Sequence, residues 1–145
     1  MGDWVFGCDV CQTVCPWNIR FSDIQAGQVF QPHEEIARPV LREALRLTPQ
    51  EFNRKFKHSP ILRAKRLGYL RNVCVALGNR ADPENVPALL AVLAGETEPL
   101  VRGHAAWALG RTGTLPARAG LENALSNETD PWVKAEISGA LLRSG

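Results

Sequence analysis

Three of the four cysteines fall close together, in Cys8-Asp9-Val10-Cys11-Gln12-Thr13-Val14-Cys15-Pro16. Thiolates are soft donors that suit iron-sulfur clusters and zinc, and a two-residue spacing lets one tight loop aim neighbouring sulfurs at a single centre. The bacterial ferredoxin run is C-x2-C-x2-C-x3-C-P, whose first three thiolates hold one cluster while the fourth reaches a second. This chain matches the last three cysteines and the proline, with Val5 in the place of the first cysteine. The spacing therefore assigns Cys8 and Cys11 to one cluster and Cys15 to another. Two four-ligand clusters require eight thiolates, and three are offered here, so at least five have to come from outside the chain.

Clustered cysteines argue against a secreted disulfide framework, which spreads an even number along the sequence. A zinc site made of Cys8, Cys11, Cys15 and His33 stays open as the alternative. Cys74 lies in the apolar run Val73-Cys74-Val75-Ala76-Leu77 and reads as a small core residue.

The second chemical feature is a block of charge. Residues 51–80 hold eight basic side chains and one acidic one, Glu51, although the whole chain has a formal net charge of only +2. Arg54, Lys55, Lys57, Arg63, Lys65, Arg66 and Arg71 form the block, and a solvated helix face is its plain reading. Long cationic side chains without carboxylate partners also suit a phosphate backbone, and Arg63, Lys65, Arg66 and Arg71 are the candidate contacts.

Those residues need elements to position them. Ala76-Leu77-Gly78-Asn79, Ala108-Leu109-Gly110-Arg111 and Ala140-Leu141-Leu142-Arg143 recur with a constant offset, and Pro99, Val101 and Arg102 recur as Pro131, Val133 and Lys134. Leu89 and Leu93 recur as Leu121 and Leu125. Each unit reads as two helices, such as 86–94 and 99–109, with Glu98-Pro99 and Asp130-Pro131 as starts. This is the pattern of HEAT-like repeats stacked into a solenoid. Trp107, Trp132 and His104 read as packing between repeats rather than as a recognition site. Thr48-Pro49-Gln50-Glu51 has the form of a capping box and predicts a helix over 49–57, and Ser59-Pro60 predicts another start.

The expected fold is all-α, with a ferredoxin-type cysteine segment followed by a HEAT-like α-helical repeat domain. Its expected bounds are 1–18 for the cluster-binding segment, 19–47 for a connecting loop and one short helix over 40–47, and 48–145 for the repeats. Hydrophobic residues make up 45% and charged residues 22% of the chain, which excludes a disordered or collagenous chain. No apolar run reaches the roughly 18 residues of a membrane span, and the start lacks a secretory signal, so the expected location is the cytoplasm.

The same residues resemble the epoxyqueuosine reductase family. The likeness rests on Gly2-Asp3-Trp4-Val5-Phe6-Gly7-Cys8-Asp9-Val10-Cys11-Gln12 running into Val14-Cys15-Pro16-Trp17-Asn18, on Ser59-Pro60-Ile61, on Arg71-Asn72-Val73 to Gly78-Asn79, and on Val101-Arg102-Gly103-His104-Ala105-Ala106-Trp107-Ala108-Leu109-Gly110. It implies a monomeric reductase that uses cobalamin and two [4Fe-4S] clusters to remove the epoxide oxygen from a modified wobble base in tRNA. It also implies that this chain is the C-terminal part of such an enzyme and is inactive alone. A preceding N-terminal catalytic domain would supply the other cysteines, most of the cobalamin site and the proton-donating acid. Asp9 and Gln12, between the ligands, would touch the cobalamin, and the basic block with the helical tail would grip the tRNA anticodon arm. Two other classes compete: an iron-sulfur electron-transfer subunit, and a non-catalytic HEAT adaptor with a zinc site.

Overall fold

The computed structural model describes residues 2, 4–21, 36 and 38–143. Within them the regular structure is helical: α1 (Val10–Thr13), α2 (Pro16–Phe21), α3 (Leu41–Ala44), α4 (Pro49–Lys55), α5 (Lys65–Arg80), α6 (Val86–Gly95), α7 (Pro99–Thr112), α8 (Leu115–Asn127) and α9 (Pro131–Arg143), with short 3-10 turns at Pro60–Ala64 and Pro83–Asn85. The all-α expectation holds. Helix α2 replaces an expected loop. Pro16 sits at its first position, where a missing N–H costs nothing and the fixed φ favours helix, so the proline that ends the cysteine run also starts a helix.

Local chemistry marks several of the helix starts. Thr48 and Glu51 form the expected capping box: the Thr48 hydroxyl accepts from the Glu51 amide while the Glu51 carboxylate accepts from the Thr48 amide. Thr114 accepts from the Ala117 amide, and Asp130 accepts from the amides of Trp132 and Val133 at 2.9 and 3.1 Å. Prolines stand at the first or second position of α4, α6, α7 and α8. The helix expected over 49–57 ends at Lys55, and the one expected over 40–47 shortens to Leu41–Ala44.

The repeat helices form two layers. α7 packs between α5 and α9, and α6 packs beside α8 on the other side. Because α7 has neighbours on both flanks, it is buried nearly all round, at Val101, Gly103, Ala105, Ala106, Ala108, Leu109 and Gly110. The recurrent Ala-Leu-Gly element has a geometric reason. A Cβ on Gly78 would come within 2.9 Å of the Ala108 Cα, and one on Gly110 within 2.8 Å of the Ala140 Cα. The glycine of one unit thus meets the alanine of the next, backbone to backbone.

A second recurring device joins the units. Glu96, at the turn between α6 and α7, accepts from the Thr97 and Glu98 amides and pairs with Arg66 at 2.6 Å. Glu128, at the matching turn between α8 and α9, accepts from the Thr129 and Asp130 amides and pairs with Arg102 at 2.8 Å. Each carboxylate satisfies helix-start N–H groups and is held by an arginine from the preceding second helix.

Candidate cluster segment and basic surface

The cysteine segment is built from two tight turns around α1. Gly7 and Asp9 have φ of +64° and +46°, backbone that reverses direction sharply, and glycine takes it without steric cost. The Asp9 carbonyl then accepts from the amides of Gln12 and Thr13 at 2.9 and 3.0 Å and from the Thr13 hydroxyl at 3.1 Å. Cys8 precedes α1, Cys11 lies on it and Cys15 comes after it, where its carbonyl accepts the Ile19 amide of α2. Asn18 closes the turn by donating to the Gln12 carbonyl at 3.3 Å.

All three thiols are free; Cys8 and Cys11 are exposed and Cys15 is half-buried. Among the described residues no three Cys, His, Asp or Glu side chains converge on one point, and His33 lies outside them. Soft donors held open on a short loop fit a cluster whose other thiolates come from elsewhere. Cys74 is the opposite case. It is fully buried in the core, and burial pushes its thiol up to about 12, so it is neither thiolate nor ligand at neutral pH.

Helix α5 holds this segment. Asn72 donates to the Val5 carbonyl at 2.8 Å and Asn79 donates to the Gly2 carbonyl at 2.6 Å. They are seven residues apart and so share one helical face two turns apart, and Val5 packs against the core. Both asparagines belong to the motifs that carry the family likeness, but the sequence alone assigns them no role. Their signal is a pair of amide side chains flanking the apolar run Val73 to Leu77. Beyond the anchored part the segment is apolar and open: Trp4, Phe6, Val10, Val14, Trp17, Ile19 and Phe21 are all exposed.

The basic residues separate into two kinds. Arg54, Lys55, Lys57, Arg63 and Lys65 are exposed. Phe52, Phe56 and Tyr69 form a triangle of rings 4.9 to 5.7 Å apart that fixes α4 on α5 and leaves the cations outward. Lys65 opens α5 with φ +54° and ψ 166°, a conformation that costs a non-glycine residue about 1–3 kcal/mol and tends to occur at functional sites. Arg66 departs from the expectation of unpaired cations, because the chain folds so that distant Glu96 reaches it. Its Nε also donates to the Leu47 carbonyl at 2.6 Å. Arg71 is half-buried and donates through Nε and Nη2 to Asn72 Oδ1 at 3.1 and 2.9 Å, orienting the amide that holds Val5.

The aromatic residues pack between repeats as expected, with one qualification. Trp107 rests on Gly78 of the preceding unit, where a Cβ would lie 2.5 Å from its ring, and Trp132 crosses Gly103 in the same way. Trp132 nevertheless stays part-exposed.

Comparison with known proteins fits this geometry. The model of HEAT repeats matches residues 62–141. An epoxyqueuosine reductase of Bacillus subtilis is 38% identical over 138 residues, covering 94% of this chain and 35% of that protein. A solved selenomethionine-labelled epoxyqueuosine reductase superposes with a TM-score of 0.89 at 34% identity, over 99% of this chain and 38% of that one. A solved epoxyqueuosine reductase with an epoxyqueuosine-modified tRNA-Tyr stem loop gives 0.88 at 34% identity, with the same coverage. The chain thus spans a little over a third of the length of these reductases. Over residues 62–141 it belongs to the HEAT-repeat family, and along nearly its whole length it is a relative of the epoxyqueuosine reductases.

Proposed function

We propose that this chain is the cluster-ligand segment and RNA-gripping helical body of an epoxyqueuosine reductase, which reduces epoxyqueuosine to queuosine in tRNA. The observation that carries the reading is the cysteine segment itself. Three free thiols and seven exposed large apolar side chains lie on a stretch that is nevertheless pinned to α5 by Asn72 and Asn79. An exposed apolar patch of this extent marks a surface that another domain covers, in keeping with an N-terminal catalytic domain that brings the remaining ligands.

In this role Cys8 and Cys11 would ligate one [4Fe-4S] cluster and Cys15 the other, and Asp9 and Gln12, which lie between the ligands, would touch the cobalamin. When bound, these groups supply the electron transfer and the reductive chemistry at the epoxide. The chain's own residues bind and orient. The Asp9 carbonyl closes the ligand turn, the apolar side chains exclude water, and Arg63, Lys65 and Arg71 hold phosphates of the anticodon arm without reading sequence. Arg66 is committed to Glu96 and serves the fold that presents them. Among the described residues no helix is long and apolar enough to cross a membrane, and the enzyme is proposed to act as a cytoplasmic monomer.

Anaerobic loading with iron and sulfide in the presence of the cysteine-bearing N-terminal part of such a reductase, followed by visible absorption and metal analysis, tests the assignment. Retained iron and sulfide that are lost in Cys8→Ser or Cys11→Ser support it. A colourless protein that holds one zinc ion through the same cysteines overturns it in favour of a zinc-bearing HEAT adaptor.

A further inference from the structure

On the layer formed by α5, α7 and α9, Val75, Gly103, His104, Trp107, Trp132 and Glu136 line a groove of about 240 Å3. Its floor is rigid. Trp132 lies so close over Gly103 that a Cβ there would overlap the indole, and the His104 ring stands 5.9 Å away at 43°. His104 Nδ1 meets the Leu100 carbonyl at 2.8 Å; a carbonyl only accepts, so Nδ1 donates and Nε2 is the ring's remaining polar atom. Trp132 as a residue keeps 41% of its surface exposed. A large aromatic side chain held against Gly103 and still part-exposed can serve as a stacking platform.

The surroundings indicate what would stack there. Val75 falls between Asn72 and Asn79 on α5, at helical spacings that put all three on one face. The groove therefore adjoins the helix face that holds the cysteine segment. Arg71 lies one turn before Val75, Arg111 one turn after Trp107, and Arg143 two turns after Glu136, so each helix brings an arginine to the same face. Rings beside a carboxylate would also suit an alkylammonium ion, but an arginine one to two turns along each of the three helices, though none is in the lining itself, disfavours a cation and favours a polyanion.

Resting on the RNA-gripping role given above, we propose that this groove takes an unpaired nucleobase of RNA. The base stacks on Trp132, its edge donates to the Glu136 carboxylate and meets His104 Nε2, and Arg71, Arg111 and Arg143 take the neighbouring phosphates. Unpaired bases splayed onto aromatic side chains are the usual way in which proteins hold single-stranded RNA.

Fluorescence anisotropy on the full chain tests this, with a labelled short single-stranded RNA and a ribose-phosphate chain of the same length that lacks bases. The base-free chain should bind about five- to a hundredfold more weakly, the range of one lost base stack. Trp132→Ala should cause a loss of similar size for the base-bearing RNA, while Trp132→Phe retains most of the affinity. His104→Ala, which removes the neighbouring ring, should weaken the same RNA and gives an independent reading if Trp132→Ala perturbs folding by circular dichroism. Equal binding of the two probes, or unchanged affinity in folded Trp132→Ala and His104→Ala, overturns the base site. In that case, loss of binding in Arg63→Glu/Lys65→Glu would leave the phosphate-gripping role standing. Failure of the wild-type chain to bind either probe sinks both.

Discussion

Arg102 grips both carboxylate oxygens of Glu128, Nε to Oε2 at 2.8 Å and Nη2 to Oε1 at 2.9 Å. The pair is largely shielded, with 14% and 8% of the side-chain surfaces exposed. Arg102 Nη1 also donates to the carbonyls of Glu96 and Thr97 at 3.0 and 2.8 Å. One guanidinium thus ties two successive inter-helix turns together, a coupling that neither turn has alone.

Arg102→Met should therefore destabilise the chain by about 3 kcal/mol, because it strands a shielded carboxylate and frees the last turn of one unit from the first turn of the next. Urea unfolding followed by circular dichroism measures it. Arg118→Met breaks the exposed pair with Glu122 at 3.1 Å and should cost less than about 0.5 kcal/mol.

The same pair sets a pH dependence. The hydrogen bond from Arg102, with help from the Asp130 and Thr129 amides, overcomes the opposing effect of burial and lowers the Glu128 carboxyl from 4.5 to about 2. A depressed carboxylate stabilises the fold above its unfolded value, and that contribution is lost as the proton returns. Stability should fall between about pH 4.5 and pH 2. Glu96 adds to the fall: burial raises its carboxyl, but the Arg66 hydrogen bond and the Glu98 and Thr97 amides outweigh it and leave it lowered. In Arg102→Met the acid side of the stability profile should be shallower, as thermal melts across that range would record.

Two glycines make opposite predictions under one substitution. Gly110→Ala places a Cβ 2.7 Å from the Ala140 Cβ and 2.8 Å from its Cα, so overpacking at a backbone contact should cost about 1–2 kcal/mol despite the better helix propensity. Gly68→Ala meets only the Ala64 Cβ, at 3.7 Å, and should stabilise α5 by about 0.5–1 kcal/mol. Equal signs in thermal denaturation would refute the packing account.

Asn72→Ala and Asn79→Ala remove the ties to Val5 and Gly2. Limited proteolysis should then cut the first twenty or so residues faster, while the melting temperature of the helical body stays within a degree or two. In the native chain Cys8, Cys11 and Cys15 should react with a thiol reagent well before Cys74, which should react only on unfolding.

Much of this architecture is legible in residue order. The recurring Ala-Leu-Gly, the prolines that open α7 and α9 and the Thr48–Glu51 box are local signals, and each marks a helix or a boundary where the structure has one. Signals that join distant positions are not legible in the same way. Arg66 looks like a free cation in the sequence because its carboxylate, Glu96, stands thirty residues away and meets it only when the α6–α7 turn folds back. Asn72 and Asn79 are visible as residues, but their acceptors are backbone carbonyls far back in the chain, which no spacing rule marks. Helix α2 escapes a reading by motif because Pro16 completes the cysteine pattern, which hides its second role as the opening residue of a helix.

The contacts of Gly78 with Ala108 and of Gly110 with Ala140 have a mechanical consequence. Main chain touching main chain has no rotamers with which to yield, so the rise from α5 through α7 to α9 is a stiff gauge. The offset from the thiol loop held on α5 to the indole carried by α9 is then set in whole repeats. Surface substitutions can retune affinity along that gauge, but only the gain or loss of a helical pair can change its length.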